Sequence, residues 1–306
     1  MEKLGKGKSL AIIITIYILA LGIGYVSSYF MPIDLFWRLL ITDVITTVII
    51  YIFSVVFKNT SIYDPYWSFV PWVLVLISMI ETRSFSIPNI ILFLAFSYWS
   101  WRLTLNWQST FANMKWEDWR YTKYRETYNR FLFEIINFFG LQMMPTLLVF
   151  SALSPFLFLV INGSNYLTII GAVVVVGGTV LEMISDHDMH NFLRTTKEKI
   201  TCRKGLWKYS RHPNYLGEIS VWFGLAIPHI IQYPTYWYFD IGCILILLLF
   251  YFISIPMMEK RQINRRSDYK NYQKTTSKLL ILPNRKIKDC EWILYFFNCL
   301  FIDEFC

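Results

Sequence analysis

The chain has 306 residues, of which 55% are hydrophobic, 19% aromatic and only 16% charged. A soluble globular domain carries about 25% charged residues, so this composition excludes an ordinary soluble protein and predicts a membrane protein. The formal net charge of +8 is then better explained by membrane orientation than by binding to nucleic acid, and we expect no nucleic-acid partner.

Eight apolar stretches are candidate membrane spans. They lie near residues 9–30, 36–57, 66–81, 86–107, 138–161, 166–185, 219–231 and 238–258. The third contains Pro71, and the seventh contains Pro228 and is short, so either could be a tilted, broken or half-inserted helix. The pattern predicts an all-α fold, a polytopic transmembrane bundle of about seven or eight helices.

Lysine and arginine concentrate in the loops at 108–133 and 186–218 and in the segment after Met258. The loops with the sequences MPID, NGSNY and QYPTYW contain none. With eight spans, all basic segments fall on the same side as the N-terminal lysines, and the positive-inside rule assigns that side to the cytosol. We therefore expect a multi-pass integral protein with both termini in the cytosol. The membrane would be endoplasmic-reticulum-like in a eukaryote and the plasma membrane in a bacterium.

The five cysteines show neither a C-x-x-C pair nor the spacing of metal ligands, so we expect no disulfide framework and no metal site. Cys202 lies among Lys199, Arg203 and Lys204, which would lower the pKa of its thiol. The simpler interpretation is that this cysteine has no chemical role.

The stretch RHPNYLGE at 211–218 places polar residues at the start of the seventh span. Pro213 suits the first position of a helix, which makes His212 the expected N-cap. The free N–H groups of that first turn form an anion site, and Arg211 stands beside it. Asn214 and Glu218 share one helix face because they are four residues apart. A carboxylate one turn into a membrane helix requires a partner or a polar ligand.

A second polar face ends the sixth span, in the sequence LEMISDHDMHNF. Glu182, Asp186 and His190 follow one another at intervals of four residues and therefore lie on one side of a helix. They could simply solvate a helix end. Because two polar faces bracket the same basic loop, they also predict a pocket with hydrogen-bond acceptors on two walls and cations between them.

Three ordered motifs in the C-terminal half carry a family resemblance. EMISDHDMHNF, GLWKYSRHPNYLGE and EKRQINRRSDYKNYQKTTS closely resemble the steroid 5-alpha-reductase-like membrane proteins, and in particular their DUF1295 branch. DPYWS at 64–68 and WEDWRY at 116–121 agree with the same branch. The resemblance covers roughly residues 60 to 284.

The resemblance implies an NADPH-dependent membrane reductase that adds hydride to an activated carbon–carbon double bond of a lipid-soluble substrate. Asp186, Asn214 and Glu218 match polar family positions that contact the cofactor. The resemblance also implies that other residues border or close the cofactor site. These are Glu182, Tyr209, Arg211, His212, Glu259, Arg261 and Tyr269. The basic residues Arg194, Lys197, Arg203 and Lys204 could hold the 2′-phosphate, although membrane topology alone would also place them there.

The resemblance divides the chain into four segments. These are N-terminal anchor helices at 1–60, substrate-side helices at 61–135, a cofactor-binding membrane domain at 136–284 and an interfacial tail at 285–306. Two features depart from the branch: Asp188 stands where a glutamine is usual, and the tail WILYFFNCLFIDEFC extends the chain. Its apolar core is too short to span a bilayer, so we interpret it as an interfacial anchor or a partner surface.

Hydride addition to an enone requires a donor for the developing oxyanion and a source of the second proton. The candidates in the first half are Asp64, Tyr66, Glu117, Asp118 and Tyr121. We favour Tyr121, with its hydroxyl polarised by Glu117 or Asp118. Alternatively, WEDWRY is an interfacial belt in which an acidic residue pairs with Arg120.

The substrate class stays open at this point, because the Gln-Glu pair that binds steroids in the true steroid reductases has no match here. A steroid and another enone or polyprenoid lipid are equally compatible with the motifs. Membrane methyltransferases share a similar turn that holds S-adenosylmethionine, so they are the alternative enzyme class. A non-catalytic lipid-binding membrane protein is the third. The expected partners are a lipid-soluble small molecule and membrane lipids.

Overall fold

The computed structural model describes residues 5–284, which contain twelve α-helices and no β-strand. The tail at 285–306 lies outside the described residues. The helices are α1 Lys6–Tyr29, α2 Leu35–Phe57, α3 Tyr66–Thr82, α4 Ile87–Thr110, α5 Trp119–Thr127, α6 Arg130–Ile135, α7 Met144–Asn162, α8 Thr168–Thr195, α9 Pro213–Gln232, α10 Ile241–Leu249, α11 Ile255–Arg265 and α12 Tyr269–Thr275. Short 3-10 segments lie at Thr60–Tyr63, Gly205–Lys208 and Pro234–Asp240, and π-helical segments at Ile136–Met143 and Phe250–Ser254. The predicted all-α polytopic fold is confirmed.

Within residues 5–284, six continuous helical stretches are long and apolar enough to cross a membrane. They are Lys6–Tyr29, Leu35–Phe57, Thr60–Thr82, Arg130–Asn162, Thr168–Thr195 and Pro234–Arg265. The other two expected spans coincide with α4 and α9, which have 24 and 20 residues but are interrupted by charged residues such as Arg102 and Glu218. The chain is therefore an integral membrane protein.

The two prolines that made the third and seventh spans uncertain do not break their helices. Helix α3 continues through Pro71, and α9 continues through Pro228 to Gln232. Membrane helices tolerate internal proline because neighbouring groups can satisfy the freed carbonyl. Helix α9 begins at Pro213, as the sequence predicts, so the seventh span is longer than its apolar run alone suggests.

The described residues fall into two compact units. The first consists of residues 5–176 and 221–246, and the second of residues 177–220 and 247–284. Helices α8 and α9 contribute residues to both units.

Close helix packing in the first unit depends on small residues and on hydroxyl pairs. A Cβ atom on Gly171 would lie 2.3 Å from the carbonyl oxygen of Gly224, so the backbones of α8 and α9 nearly touch there. The hydroxyls of Ser28 and Thr42 lie 2.7 Å apart between α1 and α2. Both devices are typical of membrane helices, where apolar side chains gain little by leaving lipid.

The second unit ties its basic loop to α8 by a small buried cluster of Phe192, Cys202 and Trp207. The Trp207 indole N–H donates to the Ser185 carbonyl at 2.8 Å. Burial raises the pKa of the Cys202 thiol although cations lie nearby. This thiol is therefore not an activated nucleophile, which agrees with the simpler interpretation of the sequence.

We expect Gly171→Ala to lower the stability of the protein, because the new methyl group would collide with backbone at Gly224. Overpacking of this kind costs about 1–3 kcal/mol. Thermal unfolding in detergent measures the effect. Gly177→Ala is the matched control, because a Cβ at Gly177 meets nothing within 4 Å and alanine favours a helix. Equal melting temperatures for the two variants would contradict the close crossing.

Candidate functional site

The start of α9 presents an unsatisfied hydrogen-bond acceptor. The Oδ1 atom of Asn214 is buried and has no hydrogen-bond partner among the described residues. Glu218, one turn further on the same face, is only 5% exposed. A buried acceptor of this kind can accept from an ordered water or from the hydroxyl or amide donor of a ligand.

The polar face of α8 meets this part of α9 inside the second unit. Glu182 is 2% exposed, and its Cγ atom lies 2.6 Å from where a Cβ on Gly217 would stand. Glu182 is therefore next to the residue that precedes Glu218. Asp186 follows one turn later and is half-buried. The two polar faces predicted from the sequence are thus brought together, and glycine at 217 permits their close approach.

Arg211 is held by protein groups and does not stand free beside the helix start. Its Nε donates to Glu259 at 2.6 Å, and its Nη1 donates to the carbonyls of Gln273 at 2.8 Å and Thr276 at 2.6 Å. These bonds use Nε and Nη1, and the expected place of Arg211 beside an anion site stays a prediction. Its guanidinium fastens α11 and the end of α12 to the start of α9.

His212 belongs to the same network. Its Nε2 atom lies 3.3 Å from Glu259 Oε1, and its ring stacks on Tyr215. Burial lowers the pKa of His212, although the carboxylate of Glu259 opposes this shift. The imidazole is therefore neutral at neutral pH and donates from Nε2. Tyr269 is buried nearby, and its pKa is raised by burial and then by Glu259.

The remaining expected cofactor residues lie around this network. Tyr209 is half-buried, and its carbonyl accepts from the backbone of Leu282 at 3.3 Å. Arg261 is half-buried on α11, two residues after Glu259. The Arg211 amide donates to the Ser277 carbonyl at 2.9 Å, so the segment after α12 runs alongside the residues that precede α9.

Asp188, the residue that departs from the family branch, packs against a turn. A Cβ on Gly205 would lie 1.9 Å from Asp188 Oδ2, and Gly205 has a φ of +52°. Glycine is required there by both the backbone conformation and the adjacent carboxylate. Asp188 thus helps to hold the basic loop against α8.

Several cations of the basic loop are at the surface. Arg194, Lys197 and Lys204 are exposed. The Arg203 side chain is 41% exposed and lies 3.7 Å from Asp268, a contact that is too long and too exposed to neutralise it. These exposed residues are accessible to an anionic ligand, whereas the Nε and Nη1 donors of Arg211 are already used by protein groups.

In the first unit, Tyr121 has a different partner from the one expected. Its hydroxyl donates to Asp64 Oδ1 at 2.5 Å, and not to Glu117 or Asp118. Glu117 accepts from Arg125 at 2.8 Å and from the Thr60 amide at 2.8 Å. The turn that precedes α3 folds back onto α5, so Tyr121 pairs with an acid outside its own motif.

Asp118 has a local structural role. It caps α5 by accepting from the Arg120 amide and also pairs with the Arg120 side chain at 2.7 Å. Burial and then the Asp64 carboxylate raise the pKa of Tyr121, so its hydroxyl keeps its proton at neutral pH. The pairing of Asp118 with Arg120 agrees with the interfacial interpretation of WEDWRY, whereas the Tyr121 pair retains a possible donor.

A second tyrosine–aspartate pair lies inside the membrane-spanning helices. The Tyr66 hydroxyl donates to Asp43 Oδ1 at 2.7 Å, and also lies 2.8 Å from the Asp43 carbonyl. Tyr66 is 1% and Asp43 is 3% exposed. The ring of Tyr63 stacks on Tyr66 with centroids 4.9 Å apart. Sequence analysis named Tyr66 but missed Asp43. An isolated acid within an apolar run is itself a sign of a functional site.

The contacts of Arg211 predict that its removal destabilises the second unit. Arg211→Ala should cost about 3–5 kcal/mol, because the buried Glu259 carboxylate and two carbonyls would lose their donor. Thermal unfolding in detergent measures this loss. Arg203→Ala serves as the control and should cost at most about 1 kcal/mol, as expected for an exposed ion pair. Similar stabilities for the two variants would show that the buried network is dispensable.

Comparison with protein families gives one match that covers most of the residues described above. The model for the family of proteins of unknown function DUF1295 matches residues 50–276. This segment contains Tyr66, Tyr121 and all the polar residues of α8 and α9 described above, whereas Asp43 precedes it. No curated protein and no solved structure matches the chain significantly. Because the match spans most of the 306 residues, the chain belongs to the DUF1295 family.

Proposed function

We propose that the protein is an NADPH-dependent membrane reductase that reduces a carbon–carbon double bond conjugated to the carbonyl of a lipid-soluble substrate. The observation that carries this proposal is the buried pair of Tyr66 and Asp43 within membrane-spanning helices. Keeping an acid in hydrocarbon is costly, so such a residue marks a functional site.

Reduction of an enone needs a hydrogen-bond donor where negative charge develops on the carbonyl oxygen. Tyr66 supplies an O–H group in a site shielded from water. When Asp43 carries a proton, its own O–H donates to the phenol oxygen, and the Tyr66 hydroxyl is free to donate to the substrate. When Asp43 is ionised, it accepts from Tyr66, as observed. The pair therefore holds and passes on the proton that completes the reduction.

Tyr121 and Asp64 form the second candidate pair for this role. They lie at the start of the first unit's membrane helices, where α5 folds over the turn at Thr60–Tyr63. Arg120 approaches Asp64 to 4.0 Å and is itself held by Asp118 at 2.7 Å, so the Tyr121–Asp64 bond belongs to a fixed cluster of charged groups. We therefore favour Tyr66 as the donor and Tyr121 as a positioning residue.

The second unit supplies residues suited to a dinucleotide. The acceptors Glu182, Asp186, Asn214 and Glu218 would bind ribose hydroxyls and a carboxamide, and the unsatisfied Oδ1 atom of Asn214 fits such a donor. The exposed cations Arg203 and Lys204 would bind phosphate groups, including a 2′-phosphate. When bound, NADPH would supply the hydride.

The Tyr66–Asp43 pair also favours reduction over methyl transfer, which is the alternative class of reaction. Reduction of a double bond consumes one proton for every hydride, whereas transfer of a methyl group from a sulfonium consumes none. The third possibility, a non-catalytic lipid-binding protein, needs neither a nucleotide nor a proton donor. The substrate would be a steroid or a polyprenoid enone, in an endoplasmic-reticulum-like membrane of a eukaryote or the plasma membrane of a bacterium.

Nucleotide titration of detergent-purified protein tests the cofactor. We expect NADPH to bind, NADH to bind more weakly, and the difference to shrink as salt rises, because exposed cations would hold the 2′-phosphate. Asn214→Ala should weaken NADPH binding by more than about tenfold, or ~1.4 kcal/mol. The control Asn271→Ala changes an exposed amide of the same unit and should bind normally. Binding of S-adenosylmethionine in place of NADPH would support the alternative, and binding of neither the third possibility.

Substitution of the two tyrosines tests the donor. Tyr66→Phe should bind NADPH normally and lose about 10²–10³-fold in turnover of any enone lipid that the wild type reduces, as for the loss of one oxyanion donor. A 4-en-3-one steroid and a polyprenyl aldehyde are suitable probes. Tyr121→Phe is the comparison, with a smaller loss expected. Full activity in Tyr66→Phe together with an inactive Tyr121→Phe would transfer the donor role to the Tyr121–Asp64 pair.

A further inference from the structure

Two stripes of polar side chains face each other across the interior of the first unit. On α2 the polar residues recur at intervals that keep them on one side of the helix. On the helix that continues from α6 through the π-helical segment into α7, a second set recurs in the same way. The members are Asp43, Thr47, Tyr51 and Ser54 on α2, and Glu134, Asn137, Gln142 and Thr146 on the other helix. Such a double stripe is unusual in helices that are otherwise apolar.

The stripe on the α6–α7 helix begins at Glu134. This residue is half-buried and lies four residues after Arg130, near the basic end of the helix. The Asn137 amide donates to Glu134 at 3.1 Å, and the Gln142 amide donates to Asn137 at 3.0 Å and to Ser54 at 2.9 Å. Asn137 is 1% and Gln142 is 0% exposed. A continuous set of hydrogen bonds thus leads from a partly accessible carboxylate into the interior.

The two stripes together end at the Tyr66–Asp43 pair. The Thr146 hydroxyl lies 2.8 Å from the hydroxyl of Thr47 and 2.8 Å from that of Tyr63. Thr47 lies one helical turn after Asp43 on α2, and Asp43 accepts from the Tyr66 hydroxyl. Hydroxyl groups can both donate and accept, so this part of the stripe can transmit a proton.

The hydrogen bonds are interrupted between Gln142 and Thr146, and an atom without a hydrogen-bond partner in the described part of the chain lies there. Gln142 and Thr146 are one helical turn apart, and the Oε1 atom of Gln142 is buried without a hydrogen-bond partner among the described residues. A buried carbonyl oxygen beside other polar groups is a site for an internal water. The π-helical segment Ile136–Met143 contains Gln142, and such segments are frequent at functional sites because they re-aim side chains.

We propose that this double stripe is a proton path that leads from the membrane surface at Glu134 to Asp43, with a water held by Gln142 as its middle link. This inference rests on the proposed reductase function and supplies its proton. In each turnover the Tyr66 O–H bond breaks as its proton goes to the substrate, and the Asp43 proton moves to Tyr66. A proton that enters at Glu134 is carried by water along the amides of Asn137 and Gln142, which hold that water but do not transfer the proton themselves. It then passes through the hydroxyls of Thr146 and Thr47 and restores Asp43. From Asp43 to Ser54 the path runs eleven residues along α2, or about 16 Å.

Gln142, Asn137 and Thr146 are positioning residues in this scheme, because they do not touch the reacting atoms. The same hydrogen bonds would also hold helices together. The test therefore needs a measurement that helix adhesion alone does not change. The rate at which Asp43 exchanges its proton with bulk water is such a measurement.

Infrared spectroscopy of the membrane-reconstituted full chain gives this rate. The carbonyl band of a protonated Asp43 is identified as the band that Asp43→Asn loses at mildly acidic pH. Transfer into D2O then shifts the band as the proton exchanges. We expect exchange to be slowed about tenfold or more in Gln142→Leu, and likewise in Thr146→Val, a nearly isosteric change that serves if Gln142→Leu does not fold.

Asn89→Leu is the matched control. Asn89 is a fully buried amide of the same unit that donates to Ser84 and accepts from Ser164 at the opposite end of the helices. It should lower stability without slowing exchange of Asp43. Unchanged exchange in both Gln142→Leu and Thr146→Val, equal slowing in Asn89→Leu, or the absence of any protonated Asp43 band would overturn the path. The measurement uses no nucleotide, so a failure of the path is distinct from a failure to bind NADPH.

Discussion

A polar group inside a lipid bilayer must find its partner within the protein, and this constraint organises the whole chain. Lipid cannot satisfy Asp43 or Gln142, and each of them bonds to a different helix. Every such bond fixes the rotation and the depth of two helices together. These buried polar residues therefore also determine how the membrane helices pack.

The second unit meets the same constraint with charge and small residues. Arg211 and Glu259 neutralise each other at an almost fully buried contact, and the carbonyls of Gln273 and Thr276 use the remaining donors of Nη1. Gly217 lets α9 approach α8 so closely that Glu182 lies beside it. Arg203 and Lys204 of the same loop are exposed. The buried anchor and the exposed charge of this loop are thus made by different cations.

The sequence predicts the parts of this structure that depend on neighbouring residues. The apolar runs locate the helices, Pro213 marks the start of α9, and the four-residue spacing of Glu182 and Asp186 places both on one face. Contacts between distant segments were harder to predict. Tyr121 was assigned to an acid of its own motif, whereas its partner is Asp64, 57 residues away. Asp43 was missed because no motif surrounds it, although its position in an apolar run was a sufficient reason to consider it. The contacts of Arg211 are equally long-range, since its partners lie 48 to 65 residues further along.

The environment of the two tyrosine–aspartate pairs explains why similar groups differ in what they can do. A hydrogen bond to developing charge is stronger where the surroundings are less polarisable and water does not compete. Tyr66 and Asp43 are enclosed by helices, whereas Tyr121 belongs to the short polar helix α5 and its partner lies close to Arg120. Arg120 and Asp118 surround the Tyr121–Asp64 bond with charged partners, so that pair is part of a fixed surface network. Asp43 has no cation among its described contacts, so it can alternate between acceptor and donor. Proton transfer requires this alternation, and it is the physical reason why we propose the pair inside the membrane helices as the donor.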